Sequence, residues 1–123
     1  MNQTTLELPL VPVSFNQTRY AHWRVVQRKA RPLQEALLLL LRTSDLQPAS
    51  FIEAEAILRF KDRRRRDEGN FRTPLEKTLG DVLTREKYLE DDTPDQYRFT
   101  RLTFSDQTGP AQTILTLNWR PLL

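Results

Sequence analysis

From Phe51 to Phe60 the chain alternates with a period of two, placing Ile52, Ala54, Ala56, Leu58 and Phe60 on one side and Glu53, Glu55 and Arg59 on the other. Only an extended strand puts alternate residues on opposite faces, so this segment commits the chain to a sheet with one covered face. The cover has to come from helices. Leu33, Leu37, Leu40 and Leu41 recur at helical spacing after Pro32, which suits the first position of a helix, and Leu38 and Leu39 on the flanks imply a helix buried on more than one side. A second helix is expected from Pro74 to about Glu86, with Thr73 and Glu76 as a capping box and Leu75, Leu79, Val82 and Leu83 turned inward.

The other strands are shorter signals. Leu6, Leu8 and Leu10 alternate ahead of Pro12, and Tyr97–Phe104 and Ala111–Trp119 flank Gly109 and Pro110 in a way that reads as a hairpin. Ser14 to Arg31 has no clean period and reads as an irregular loop or a frayed helix start. The expected order is strand, helix, strand, helix, strand, strand: an α+β (mixed α/β) fold with a small mixed sheet and helices packed on it. At 123 residues, with no internal repeat, one domain covers residues 1–123.

Composition removes several classes of function. There is no cysteine, which excludes disulfides, thiolate metal sites and a cysteine nucleophile. No basic segment followed by an apolar core opens the chain, and the run Leu37–Leu41 is far below the roughly 20 residues that span a bilayer. A cytoplasmic, nucleoid-associated protein with no membrane partner is the expectation, and the sequons at Asn2 and Asn16 then carry no meaning. The net charge of +3 is unevenly distributed, +6 over residues 1–66 and −3 over the rest. All but four of the 19 basic residues are arginine, whose planar fork grips phosphate oxygens in pairs. Nucleic acid is the leading partner.

The densest chemical signal is Lys61-Asp62-Arg63-Arg64-Arg65-Arg66-Asp67-Glu68-Gly69-Asn70, between a strand and a helix. Arg63, Arg64, Arg65 and Arg66 suit a phosphate backbone, and Asp67 and Glu68 offer hard oxygens to a divalent cation. On composition alone a solvated, self-neutralising turn is an equal reading. A second acidic pair, Asp91 and Asp92, precedes a strand, where a solvent-facing turn is the bland alternative. Lys77 lies four residues before Asp81, the spacing of an ordinary helix-surface pair. Asn16, Arg19, Tyr20, His22, Trp23, Arg24 and Arg28 form a basic and aromatic segment suited to phosphates and bases, although Trp23 is expected to pack beneath the first helix. His22, the only histidine, suggests no metal cluster.

Taken together these parts resemble the RusA-type Holliday junction resolvases. That family carries a basic run, then aspartate, any residue, aspartate and asparagine, then a helix with a lysine, then a second acidic pair. Here the matching parts are Arg63–Arg66, Asp67, Asn70, Lys77, and Asp91 with Asp92; Pro12, Ser14 and Asn16 resemble its N-terminal loop. The resemblance extends from Leu6 to Phe104. It implies a magnesium-dependent homodimeric endonuclease, with manganese as a substitute, that cuts branched DNA in recombination or repair, a setting that includes phage. Asp67, Asp92 and Lys77 would be catalytic, Asp67, Glu68, Asp91 and Asp92 would hold metal, and Asn16, Arg19, Arg63–Arg66 and Arg72 would contact DNA.

Two departures bear on this. Gly69 stands where the family has its second aspartate, with Glu68 one position earlier. The interval from Asn70 to Asp81 is about one helical turn longer than the family pattern, so direct counting puts Thr73 at the lysine position. Alignment on the helix start selects Lys77, and Arg72 is its rival for the cationic role. A protein of the same fold that binds branched DNA and cleaves it poorly is the second expectation. A small assembly protein binding an acidic partner is the third.

Overall fold

The computed structural model describes residues 1–122. The elements run β1 (Asn2–Leu8), α1 (Phe15–Thr18), α2 (Trp23–Thr43), β2 (Ala49–Arg59), α3 (Glu68–Arg85), β3 (Tyr97–Phe104) and β4 (Gln112–Pro121). They build the expected α+β fold: one four-stranded sheet in the order β1-β4-β2-β3, with one face covered by helices. The alternation in β2 has the foreseen outcome, since Ile52, Ala54, Ala56 and Leu58 are buried and the residues between them are not. In β4, Thr113, Leu115, Leu117 and Trp119 are buried in the same rhythm, and Leu6 and Leu8 of β1 complete the sheet side of the core. From above, Leu33, Leu37 and Leu41 of α2 and Leu75, Leu79, Val82 and Leu83 of α3 close it.

The hairpin expected from the last two strands does not form. β3 lies parallel to β2 on one edge, while β4 runs antiparallel to β2 on the other side and pairs with β1 beyond. The connection lacks the two-residue Asn-Gly or Asp-Gly turn that folds neighbouring strands together. It crosses the end of β2 instead. The Ser105 and Gly109 amides donate to the Leu58 and Phe60 carbonyls, and Arg59 Nε donates to the Pro110 carbonyl at 2.9 Å. With three large side chains and Thr113 buried at every second position, β4 gains more from the sheet centre, flanked on both sides, than from an edge.

Both long helices begin earlier than their prolines suggest. Helix α2 starts at Trp23 rather than Pro32, preceded by the short α1, and α3 starts at Glu68 rather than Pro74. In each case a side chain upstream caps the first turn: His22 Nδ1 accepts from the Arg24 amide at 3.2 Å, and Asp67 Oδ1 accepts from the Gly69 amide at 3.0 Å. The capping box at Thr73 and Glu76 is therefore absent, and both prolines sit inside helices at the cost of one backbone hydrogen bond each. Leu39 is exposed on α2, so that helix is buried along a single stripe, not on several sides.

A buried polar chain ties β1 and β4 to the segment that follows α2. Trp119 Nε1 donates to Thr4 Oγ1 at 2.9 Å, and Thr4 Oγ1 donates to Asp45 at 2.6 Å.

Candidate nucleic-acid interface and acidic cleft

The basic loop leaves β2 at Arg59 and ends at Asp67, the cap of α3. Its four arginines are not equivalent. Arg66 is only 17% exposed: it donates to Asp62 Oδ1 at 2.8 Å and to the Asp62 and Arg64 carbonyls, and its guanidinium lies 4.0 Å from the Phe60 ring centroid. Phe60, Phe71 and Phe104 form an edge-to-face trio beneath it. Arg66 thus holds the loop's shape, and its fork is taken up by protein groups. Arg64 lies 3.6 Å from Asp62 but is largely exposed, and Arg63 and Arg65 are exposed. Asp62 is pulled below its ordinary pKa, chiefly by the Arg64 amide and then by the Arg66 side chain.

Arg65, Arg66, Asp67, Glu68 and Phe104 line a cleft of about 560 Å³. A second cleft, of about 390 Å³, is lined by Glu76, Lys77, Asp92, Tyr97, Arg98 and Phe99 among others. The two are opposite ends of one seam, because the start of α3 faces the end of β3 and its later turns face the beginning of β3. Between them Arg72 reaches from α3 to the Phe99 carbonyl, lies 3.6 Å from Glu76 and stacks over the Phe99 ring. Arg72 closes the seam by engaging protein groups.

Asp67 and Asp92, expected to share a metal, stand at different ends. Asp92 Oδ2 comes within 3.3 Å of where a Cβ on Gly80 would lie, and Gly80 is thirteen residues beyond Asp67 in sequence. At 1.5 Å per residue that is about 20 Å along the helix axis. Asp67 is also engaged as the helix cap, with Glu68 exposed in the first turn. Among the described residues no group of three or more histidine, cysteine or acidic side chains is gathered as a ready-made metal site.

What does converge is a smaller acidic arrangement around Tyr97. Its hydroxyl donates to the Glu76 carbonyl at 2.8 Å, and its ring lies against Gly80. Burial raises its pKa most, and the negative charges of Glu76, Asp92 and Asp81 raise it further, against the opposing charge of Arg72. Glu76 and Asp92 therefore share a cleft with a nonionised hydroxyl, Lys77 and Arg98. Lys77 is exposed and lies 3.9 Å from Asp81, which is the helix-surface pair anticipated as its bland reading, yet it also lines the cleft beside Asp92. Asp91 braces the loop, accepting from the Asp92 amide at 2.8 Å while its own amide donates to Gln96. Asn70 is half-buried in the first turn of α3, and Asn16 accepts from Arg19 at 3.4 Å on the exposed α1 segment.

Sequence reasoning missed Glu76, Gly80, Tyr97 and Arg98. Gly80 carried a usable signal, since a glycine inside a helical pattern costs about 1 kcal/mol against alanine and marks a close approach. A Cβ there would lie 3.0 Å from Tyr97 Cε2.

Magnesium commonly uses one or two carboxylates and completes its shell with water and substrate phosphate; Glu76, which also faces Arg72, and Asp92 are the two carboxylates of this cleft that could offer it hard oxygens. No protein-family model matches the chain, and no curated protein matches its sequence. Fold and site together define a class: a two-layer α+β protein with an arginine-rich loop at one end of a helix–strand seam and an acidic cleft at the other. No helix among the described residues is long and apolar enough to cross a membrane.

Proposed function

We propose that this protein is a magnesium-dependent, structure-selective endonuclease that cuts branched DNA, acting as a homodimer of the RusA type. The observation that carries the reading is the seam, with exposed arginines at one end and the Glu76–Asp92 cleft at the other. Duplex DNA presents a charge every 1.7 Å or so of axis, so the ~20 Å between the two ends spans about six base pairs. Arg63, Arg64 and Arg65 would hold the backbone of one arm while a phosphate further along meets the cleft. There Asp92 and Glu76 would hold the ion, which, when bound, lowers the pKa of an attacking water and polarises the phosphate. Lys77 stabilises negative charge developing on the phosphate or leaving oxygen. Tyr97, its hydroxyl committed to the helix carbonyl, fixes the spacing of α3 against the Asp92 loop.

The test is incubation of the protein with a synthetic four-way junction, with and without magnesium or manganese. Wild type should cleave only with metal, and Asp92→Asn should lose cleavage while binding is retained or tightened, because a neutral amide removes both a ligand and a repulsive charge. Light scattering on the complex should give two protein chains per junction, matching the two-fold substrate.

The separation of Asp67 from Asp92 favours one second reading, a protein that binds junctions without cutting them. It predicts metal-independent junction binding and no product at any magnesium concentration.

A further inference from the structure

The first part of α2 has no counterpart in the mechanism above. All of its buried residues, Leu33, Leu37 and Leu41, follow Pro32; from Trp23 to Arg31 only Val25 and Ala30 are half-buried, the rest are exposed, and the helix forms a largely free end. That end and the turn before it carry the most exposed aromatic rings of the protein, Trp23 at 58% and Tyr20 at 89%. Each is accompanied by a guanidinium, Arg19 at 4.8 Å from the Tyr20 centroid and Arg24 at 5.4 Å from that of Trp23. No acidic residue occurs between Glu7 and Glu35, whereas Arg19, Arg24, Arg28, Lys29 and Arg31 all do. The first turn of the helix has no acidic side chain either, so the positive end of its dipole adds to these charges.

We propose that this free end is a stacking platform for unpaired nucleotides, Tyr20 and Trp23 taking base faces and the adjoining arginines the phosphates on either side. Tyrosine and tryptophan rings each offer a flat face on which a base can stack. Paired with cations in an acid-free segment, they match the chemistry of single strands, in which every base has a stacking face and every linkage a charge. A membrane-surface helix would need a longer apolar stripe, and here residues 15–31 add only Phe15, on the separate helix α1, and Val26 as further exposed large apolar side chains. The inference rests on the nucleic-acid reading above for its ligand class but does not need cleavage; it assigns to α2 the open bases of a branch point, distinct from the duplex held along the seam.

Tryptophan emission tests it on the full chain. Trp119 is buried and hydrogen-bonded, so it supplies a constant background while Trp23 reports stacking. Oligothymidylate at low salt should quench wild type strongly and a blunt duplex of equal length should not. Trp23→Leu should abolish the quench, and Trp23→Leu and Tyr20→Ala should each weaken oligothymidylate binding, read by anisotropy of a labelled strand, roughly 5- to 100-fold. Unchanged Trp119 emission and circular dichroism confirm the fold of each variant. No quench, equal quenching by duplex, or a blue shift with phosphatidylserine vesicles in place of an oligothymidylate response would overturn the platform. Quenching without junction cleavage would refute the endonuclease and leave the platform standing; cleavage without quenching would do the reverse.

Discussion

Gly80→Ala sets two opposing effects against each other at the acidic cleft. Alanine gains about 1 kcal/mol over glycine within a helix. Its Cβ, however, would lie 3.0 Å from Tyr97 Cε2, 3.3 Å from Asp92 Oδ2 and 3.4 Å from Asp92 Cβ. The ring has little freedom to retreat, because Tyr97 is buried on the sheet side and its hydroxyl is fixed to the Glu76 carbonyl. Overpacking of this kind costs about 1–3 kcal/mol. The net expectation is destabilisation of about 1 kcal/mol, or a fall in Tm of roughly 3–5 °C for a chain of this size. A denaturation cycle isolates the cause. In a Tyr97→Leu background the clash is relieved, and Gly80→Ala should then stabilise by up to about 1 kcal/mol. If Gly80→Ala raises Tm in wild type, or if its effect is the same in both backgrounds, the close approach does not constrain the helix and the description of the cleft is wrong.

Three further outcomes follow from the basic loop and the end of α3. Replacing Arg63 and Arg65 together by Gln should reduce the log–log salt slope of junction binding by about 1.8, whereas Arg66→Gln should lower thermal stability, since Arg66 is bound to Asp62 and Phe60. Because the folded pKa of Asp62 lies below 3.8, its anchoring of Arg64 and Arg66 is present above that value and is lost as pH falls below it. Asp62→Asn should therefore give pH-independent loop behaviour in that acid range by NMR of the arginine side chains and should tighten junction binding at neutral pH. Lys87 holds a left-handed backbone at φ 68 after α3, so Lys87→Gly should stabilise by about 0.5–1 kcal/mol in urea titration, and a loss would refute strain there.

The elements legible in the sequence were those whose pattern reports burial directly. The alternation at Ile52, Ala54, Ala56 and Leu58 and the stripe at Leu75, Leu79, Val82 and Leu83 both register which side meets the core. Pro32 and Pro74 misled because the preference of proline for a first turn is a local energy, and the upstream caps at His22 and Asp67 together with packing outweighed it. Strand pairing was illegible for a similar reason: β3 and β4 each look like half a hairpin, and only the core's demand for Leu115, Leu117 and Trp119 puts β2 between them. Of the candidate site, the residue types were legible and their grouping was not. Asp67 and Asp92 flank the same helix in sequence, but whether the helix's length lies between them depends on where it starts, and that start was misplaced.

The central position of β4 has a consequence for how the chain is made. Residues 112–121 bond to β2 on one side and β1 on the other, joining the earliest strand to the sheet only through the latest. A nascent chain that has already emitted β1, both long helices, β2 and β3 still lacks the strand that completes its core, and β1 waits with its inward face uncovered. Such non-local closure slows folding and prolongs exposure of apolar surface. Ribosome-arrested chains ending before Gln112 should therefore remain protease-sensitive throughout, and acquire resistance in a single step once Trp119 has left the exit tunnel.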